Sequence, residues 1–196
     1  MSDIELHPLQ PFLPPNARLL MLGSFPPPRQ RWCMDFFYPN RTNQMWEIFG
    51  LVFFGDSQHL VDTEHKTFKQ SDIQSLLVEQ GIAIFDTAYR VRRLRDNASD
   101  KFLEVVEKTD IPALLKQIPL CTDIVCTGQK SAETLCSDYA APLPRLGESV
   151  PLTIATRHLR LWRMPSSSRA YPMKLEEKAQ HYRKILPATT IHDTIQ

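Results

Sequence analysis

Residues 19–27 read LLMLGSFPP, and this stretch predicts the fold more directly than any other. Four consecutive apolar residues end at Gly23, and a proline-rich turn follows at once. A short apolar run that is bounded by a turn is typical of a strand covered on both faces of its sheet. We therefore expect a buried strand over 19–22, with a rigid loop at its carboxyl end.

Three further apolar runs have the same form, and each ends at a residue common in turns or loops. The runs are 82–85, ended by Asp86, 124–126, ended by Thr127, and 159–164, ended by Pro165. Between the runs, apolar residues recur at the helical spacing. The helical segments are 43–53, 73–80, 129–139 and 174–185. Segments 56–72 and 140–156 show neither pattern, and we expect them to be long loops.

Strands that alternate with helices are typical of a mostly parallel sheet with helices on both faces. We expect a single α/β domain over residues 1–196, a three-layer α/β/α sandwich around a central, mostly parallel, four-stranded sheet. In such folds the ligand lies beyond the carboxyl ends of the strands. Functional side chains are therefore expected in the segments that follow the strands, which are 23–28, 86–96, 127–128 and 165–171.

The composition excludes several classes of protein. The chain has 196 residues, of which 42% are hydrophobic and 23% charged, which is typical of a globular domain. Because the net charge is only +1, any contact with nucleic acid depends on local clusters of basic residues. The start of the chain lacks the features of a signal peptide, and no apolar run approaches the ~20 residues of a membrane span. We expect a monomer in the cytoplasm.

The four cysteines form neither a C-x-x-C pair nor a set with zinc spacing. They are Cys33, Cys121, Cys126 and Cys136. Thiols without such spacing are typical of a protein from a reducing compartment. We expect neither a metal nor a cofactor.

Residues 36–46 read FFYPNRTNQMW, so three aromatic residues precede polar residues at the start of a predicted helix. A ring such as that of Tyr38 can stack on a nucleobase that has left its helix, and an amide such as that of Asn43 can bind a base edge or hold a water. The same residues also suit a structural role, in which the aromatic residues staple the helix start and Thr42 or Asn43 caps it.

Two other segments contain groups that suit phosphate. Residues 164–171 read MPSSSRAY, and hydroxyls, backbone N–H groups and an arginine after a strand can bind phosphates. An ordinary serine-rich loop is the alternative. Residues 90–95 read RVRRLR, the densest positive cluster of the chain. Arg92 and Arg93 can meet a DNA backbone there, or the cluster can be a solvated basic face.

In this order and at these positions, the motifs resemble those of the uracil-DNA glycosylase superfamily. Its first motif is a Gly-x-x-Pro-like turn after the first strand, as at residues 23–27. The mismatch-specific and hypoxanthine-type branches then have an aromatic residue and a polar stretch that ends Asn-x-aromatic-Trp, which Tyr38 and residues 43–46 match. The last motif is a Pro-Ser loop, as at 165–168. The resemblance covers roughly residues 7–187.

The chain departs from the family pattern at three positions. Phe25 stands where the mismatch-specific branch has Asn, and Met164 stands where the Pro-Ser motif often opens with His or Asn. Thr127 ends the third strand, where a base-reading Asn is common. The hypoxanthine-type branch is the more similar, because it uses the Asn before the aromatic-Trp pair, here Asn43.

The resemblance implies a monofunctional DNA glycosylase of base-excision repair, which hydrolyses the N-glycosidic bond of a deaminated base, uracil or hypoxanthine, in DNA. This chemistry needs a positioned water and donors aimed at the departing base, and no cofactor. The water is expected at Asn43, and Asp86 is either an alternative activator or a cap. The other expected site residues are Gly23, Ser24, Phe25 and Tyr38 for the base, and Ser166, Ser167, Ser168, Arg169, Arg92 and Arg93 for DNA.

Two other functions stay open at this point. A protein of this fold can bind nucleic acid or a nucleobase without catalysis, and the residues at Phe25 and Met164 favour this alternative. A different α/β enzyme is the second, although the chain has no G-x-G-x-x-G, G-x-x-x-x-G-K-[ST] or G-x-S-x-G motif. Release of a base from damaged DNA would distinguish an enzyme from a binder, and tight binding of a mononucleotide would favour the second alternative.

Overall fold

The structure is a computed structural model, and it describes residues 3–94 and 102–186. Within these ranges the secondary structure follows the chain as a mixture of strands and helices. In order, the elements are β1 (Ile4–Leu6), β2 (Leu19–Gly23), α1 (Met45–Phe54), β3 (Val61–Asp62), β4 (Thr67–Phe68), α2 (Gln70–Glu79), β5 (Ile82–Asp86), β6 (Ala88–Arg93), β7 (Leu103–Lys108), α3 (Ile111–Gln117), β8 (Asp123–Cys126), α4 (Gln129–Tyr139), β9 (Ser149–Ile154), β10 (Arg157–Arg163) and α5 (Leu175–Arg183).

The central sheet has the strand order β5-β2-β8-β10-β9. The first four of these are the predicted strands, and they are parallel to one another. Every residue of β2, β5 and β8 is buried, which requires cover on both faces of the sheet. The predicted α/β fold with a mostly parallel central sheet is therefore confirmed.

The sheet has five strands, and the prediction of four was wrong. The fifth strand, β9, lies at the edge and pairs with β10 in an antiparallel hairpin. It falls in segment 140–156, which was expected to be a loop. The run SVPLTI alternates, since Leu152 and Ile154 are buried while Thr153 is exposed. Pro151 lacks a backbone N–H donor, so it suits an edge strand. Because proline is rare in strands, its presence made the segment resemble a loop in the sequence.

Segment 56–72 also contains regular structure, contrary to the prediction of a long loop. It forms the short hairpin of β3 and β4, and α2 then begins at Gln70 rather than at residue 73. Helix α1 begins at Met45 rather than at residue 43, and α5 ends at Arg183 rather than at 185. These differences are local, because the predicted apolar faces of the helices do lie in the core.

A second sheet of three strands, in the order β1-β6-β7, was not predicted. It contains the first residues of the basic run, Arg90, Arg92 and Arg93, on β6. Residue 95, the last of that run, lies outside the described residues. All three strands are half exposed, so their apolar residues do not form the continuous runs that marked the central sheet.

Helices α1 and α5 pack against each other beside the sheet. Trp46 of α1 and Tyr182 of α5 are fully buried in this layer. The packing matters for the site, because α1 follows the aromatic segment 36–46 and α5 follows the Pro-Ser loop. Within the described residues, no helix is long and apolar enough to span a membrane.

Candidate active site

Three neighbouring strands bring their carboxyl ends together at Gly23, Asp86 and Cys126. Tyr38 lies across these ends, since its hydroxyl is 3.0 Å from Thr127 Oγ1. Gly23 is tightly enclosed, because a Cβ at this position would collide with Asp86 Oδ1 and would lie 3.6 Å from the Tyr38 hydroxyl oxygen. The structure thus assembles residues that are more than a hundred positions apart into one site, at the end of the sheet that the fold rule indicates.

The Asp86 side chain lies at the floor of this site and is 9% exposed. Its Oδ2 accepts a hydrogen bond from His7 Nε2 at 2.8 Å. Its Oδ1 lies against Gly23, and within residues 3–94 and 102–186 no hydrogen bond is made to it. A buried carboxylate with one engaged and one open oxygen can hold a water and accept its proton.

Tyr38 is half buried and adopts a left-handed backbone conformation, with φ at 51°. A positive φ is costly for a bulky residue and often occurs at functional sites. Burial raises the pKa of the Tyr38 hydroxyl well above its usual value, the nearby Asp86 carboxylate raises that pKa further, and the hydrogen bond with Thr127 lowers it in part. The hydroxyl therefore stays protonated and neutral beside the carboxylate.

Asn43 lies at the start of α1, as expected, and its role at the site stays a prediction. Its Oδ1 accepts a hydrogen bond from the backbone N–H of Met45 at 2.9 Å, at the first residue of α1. Asn43 also pairs with Ser168 in an isolated antiparallel bridge. With the oxygen engaged, the amide N–H groups are what Asn43 offers to a ligand.

Helix α5 joins the two loops that the sequence singled out. The Lys178 ammonium is fully buried, and it donates to Gln44 Oε1 at 2.9 Å and to the Ser168 carbonyl at 2.7 Å. One turn later, the Tyr182 hydroxyl donates to the Pro165 carbonyl at 3.0 Å. Burial lowers the pKa of Lys178, the Glu47 carboxylate opposes that effect, and Arg169 adds to it. Sequence reasoning missed Lys178, although a lysine on the apolar stripe of a helix was a signal of such a contact.

The Pro-Ser loop approaches the end of β8, since the nearest atom to a Cβ built on Gly128 would be Ser166 Cβ at 4.0 Å. Ser166 Oγ accepts from the Ser168 N–H, and Ser168 Oγ accepts from the Ala170 N–H. These turns order the loop and leave the hydroxyl protons as donors for an anion. Ser167 is buried, and its carbonyl accepts from the backbone N–H of Gln44.

Arg169 follows this loop at the surface. Its side chain is 58% exposed, and it lies 3.5 Å from Glu47 Oε1. The other Glu47 oxygen is buried and has no hydrogen-bond partner among the described residues. The exposed guanidinium has five N–H donors and, within the described part of the chain, makes only this long contact with Glu47, so Arg169 keeps donors that can meet a phosphate.

The first motif forms a wall of the site. The Phe25 ring packs edge-on against the His7 ring, with centroids 5.3 Å apart, and lies beneath the Arg93 guanidinium at 5.6 Å. The Ser24 carbonyl accepts from Ala88 N–H, which fixes the turn to the start of β6. Met164, at the other departure from the family pattern, is fully buried in the core and is not part of the site wall.

Arg92 and Arg93 of β6 already hold carboxylates. Arg92 pairs with Glu104 at 2.8 Å on the second sheet. Arg93 pairs with Glu5 at 2.8 Å and donates to the Pro26 carbonyl at 2.6 Å, and its side chain is only 11% exposed. Arg93 therefore ties the proline loop to β1, and the DNA contact expected of both arginines stays a prediction.

His7 is the functional candidate that sequence reasoning missed. It lies in the segment between β1 and β2, which carries no motif, and its partner Asp86 is 79 residues away. No local pattern signals such a pairing. Asp86 was expected to be either a water activator or a cap, and in the structure its carboxylate binds His7 instead of capping a helix or turn.

Comparisons with known proteins show a structural likeness over nearly the whole chain. No protein-family model and no curated protein matches the chain. The solution NMR structure of a "putative Uracil DNA glycosylase" from Methanosarcina acetivorans matches 93% of this chain and 96% of its own, with a TM-score of 0.60 and 19% sequence identity. At that identity the likeness concerns the fold. The chain therefore has the α/β fold of that protein, with its candidate site at the carboxyl ends of β2, β5 and β8.

Proposed function

We propose that this protein is a monofunctional DNA glycosylase, which hydrolyses the N-glycosidic bond of a deaminated base, uracil or hypoxanthine, in DNA. The observation that carries the proposal is the buried Asp86 carboxylate, whose Oδ1 lies against Gly23 at the carboxyl end of the sheet and accepts no hydrogen bond from the described residues. The family motifs in the sequence and the name of the structural neighbour agree with the same reaction.

Asp86 is the group best suited to activate water. In the reaction, the bond between C1′ and the base breaks, and a water oxygen bonds to C1′. Asp86 Oδ1 accepts a hydrogen bond from that water and takes its proton as the new bond forms. The same negative charge stabilises the positive sugar of the transition state. The base departs as an anion, which is later protonated.

Donors for the departing base lie on two sides of the site. The backbone N–H of Phe25 has no acceptor among the described residues, and it can meet a base carbonyl as the carbonyl gains charge. The amide nitrogen of Asn43 can donate to the base or to the water, since its oxygen is engaged with Met45. We assign to Asn43 this donor role, beside the role of Asp86 as base.

Tyr38 and the Pro-Ser loop bind the nucleotide around the reacting bond. The Tyr38 ring stacks on the extruded base, an interaction worth about 1–3 kcal/mol. Ser166, Ser168 and Arg169 hold the flanking phosphates. Arg92 and Arg93 belong to the same proposal as contacts to a more distant part of the DNA backbone. The substrate is then DNA that contains a damaged or mismatched base, bound by a monomer.

The test is excision from duplexes that carry uracil, hypoxanthine or xanthine, read as alkali-sensitive abasic sites. Wild-type protein is expected to release at least one base. Asp86→Asn keeps the shape of the side chain and removes the proton acceptor, so the single-turnover rate should fall by about 10²- to 10⁴-fold. Asn43→Ala should also abolish excision, while folding and DNA affinity stay close to wild type.

Two results would contradict the proposal. A wild-type protein that binds these duplexes and releases no base would favour the non-catalytic alternative. An Asp86→Asn variant with wild-type turnover would remove Asp86 from the chemistry, and wild-type turnover of Asn43→Ala would do the same for Asn43.

A further inference from the structure

His7 is buried against the side of the site that faces away from the ligand. Its side chain is fully inaccessible, and its ring packs against Phe85, Phe25 and Phe37, with centroids 4.4, 5.3 and 6.2 Å away. The backbone N–H of His7 donates to the Tyr89 carbonyl at 2.8 Å, which continues the pairing of β1 with β6. Backbone and ring are both fixed, so His7 cannot touch a substrate and can act only through its neighbour.

The ring nitrogens of His7 are both engaged. Nε2 lies 2.8 Å from Asp86 Oδ2. Nδ1 lies 3.0 Å from the Leu9 carbonyl oxygen and 3.2 Å from the Leu9 backbone nitrogen. A neutral ring with its proton on Nε2 accepts at Nδ1 from the Leu9 N–H, and a protonated ring donates at Nδ1 to the Leu9 carbonyl. Leu9 therefore satisfies either form, and in both forms Nε2–H donates to Asp86.

We infer that His7 is a positioning residue, which fixes Asp86 so that Oδ2 is held from behind and Oδ1 faces the water. The inference rests on the proposed excision reaction and deepens it. Without the donor at Nε2, Oδ2 would be a buried acceptor with no partner, and the carboxylate would turn toward another donor. That rotation moves Oδ1 out of alignment with the water.

The position of Asp86 is sensitive because its surroundings leave little room. Its Oδ1 lies so close to Gly23 that a Cβ there would collide with it, and the same Cβ would lie 3.6 Å from the Tyr38 hydroxyl oxygen. A carboxylate that rotates in this space displaces the water or loses its alignment with C1′. A misplacement of about 1 Å can cost roughly 10²-fold in rate, although the residue responsible is remote from the chemistry.

The experiment compares His7→Gln with His7→Met. The glutamine amide can place a donor near the position of Nε2, whereas methionine fills a similar volume and has no donor. His7→Met should lower the single-turnover excision rate by roughly 10- to 100-fold and leave KM nearly unchanged, because no contact with DNA is lost. His7→Gln should recover most of that rate. His158→Met, at an exposed histidine of β10, is the matched control and should excise like wild type.

A double-mutant cycle shows whether the effect passes through Asp86. If it does, His7→Met should add little to the loss already caused by Asp86→Ala, so the two effects should be strongly non-additive. NMR of the protein with ¹⁵N-labelled histidine gives a readout that does not depend on activity. The Nε2 proton of His7 should be present and displaced to low field, and the displacement should vanish in Asp86→Ala.

The outcomes separate this inference from the proposed function. A wild-type protein that excises no base overturns both. An active wild-type protein whose His7→Met variant keeps its rate overturns the inference alone, and so does equal loss in His7→Gln and His7→Met at equal thermal stability. Additive effects in the double-mutant cycle, or an NMR spectrum in which Nε2 carries no proton, would also overturn it.

Discussion

Asp86 can occupy its position only because residue 23 is a glycine, whose side chain is a single hydrogen. The strand end brings the Gly23 backbone against Oδ1, and no larger residue fits between them. A glycine after an apolar run is usually explained by the turn that follows it. Here the backbone runs in an ordinary conformation, so the reason is the close approach of the carboxylate and not the turn.

Gly23→Ala should therefore damage the site more than the fold. The added methyl group must displace Asp86 Oδ1, and overpacking of this kind costs about 1–3 kcal/mol of unfolding free energy. The excision rate should fall by about 10²-fold, because the carboxylate is no longer aligned. Thermal melting and single-turnover excision measure the two effects.

Gly128→Ala is the matched control for stability. Gly128 is the N-cap residue of α4 and has an extended backbone that any residue adopts, and the nearest atom to a new Cβ is 4.0 Å away. Its melting temperature should stay close to that of wild type. If Gly23→Ala melts and excises like wild type, then Asp86 has room to move and its exact placement does not limit the reaction.

Among the elements, α5 does most to hold the site together. It fixes the Pro-Ser loop through Tyr182 and binds that loop to the start of α1 through Lys178. His181 of the same helix lies over Gly147, which has a φ of 74°. A Cβ at Gly147 would collide with His181 Nδ1. Hydrogen bonds thus join the helix to the Pro-Ser loop and to the start of α1, and the His181 ring packs on the Gly147 loop.

Helix α5 should also make the free energy of unfolding decrease at acidic pH. Burial lowers the pKa of His181, the Lys184 cation lowers it further, and Glu177 raises it in part. The unfolded chain, with a histidine pKa of about 6.5, then binds a proton that the folded chain refuses. Because the unfolded state binds more protons, the free energy of unfolding falls as pH falls below about 6.5 and levels off below the folded pKa.

His181→Gln should remove part of this dependence. Urea unfolding at about pH 8 and about pH 5 should show a smaller loss of stability at the lower pH for the variant than for wild type. His158→Gln, at an exposed histidine, should keep the wild-type dependence. Identical curves for wild type and His181→Gln would mean that His181 titrates alike in the folded and unfolded chains.

Across the elements, the sequence predicted what depends on neighbouring residues and missed what depends on distant ones. The run at 19–27 identified β2 and its loop, because an apolar strand and a proline turn are local patterns. The edge strand β9 stayed hidden, since its alternation is short and interrupted by Pro151. The sequence did not identify His7, because its functional contact is with Asp86, which lies 79 residues later in the chain.

At the scale of the whole molecule, a net charge of +1 provides little general attraction for DNA. Affinity must then come from a few cations near the site, and most of those in the described part of the chain already hold acids. Arg92 and Arg93 have carboxylate partners, and Arg93 is largely buried. Arg169, beside the Pro-Ser loop, is more exposed than Arg93, and its carboxylate partner Glu47 is 3.5 Å away.

Arg169→Gln should therefore reduce the salt dependence of DNA binding. Each phosphate contact that is lost lowers the slope of log K against log salt by about one, because one fewer counterion is released. Fluorescence anisotropy with a damaged duplex over a range of salt concentrations measures the slope. Arg18→Gln is the matched control, since Arg18 is exposed at the amino end of β2, opposite to the site. An unchanged slope for Arg169→Gln, or an equal decrease for Arg18→Gln, would place the DNA elsewhere on the molecule and would direct the search to Arg92.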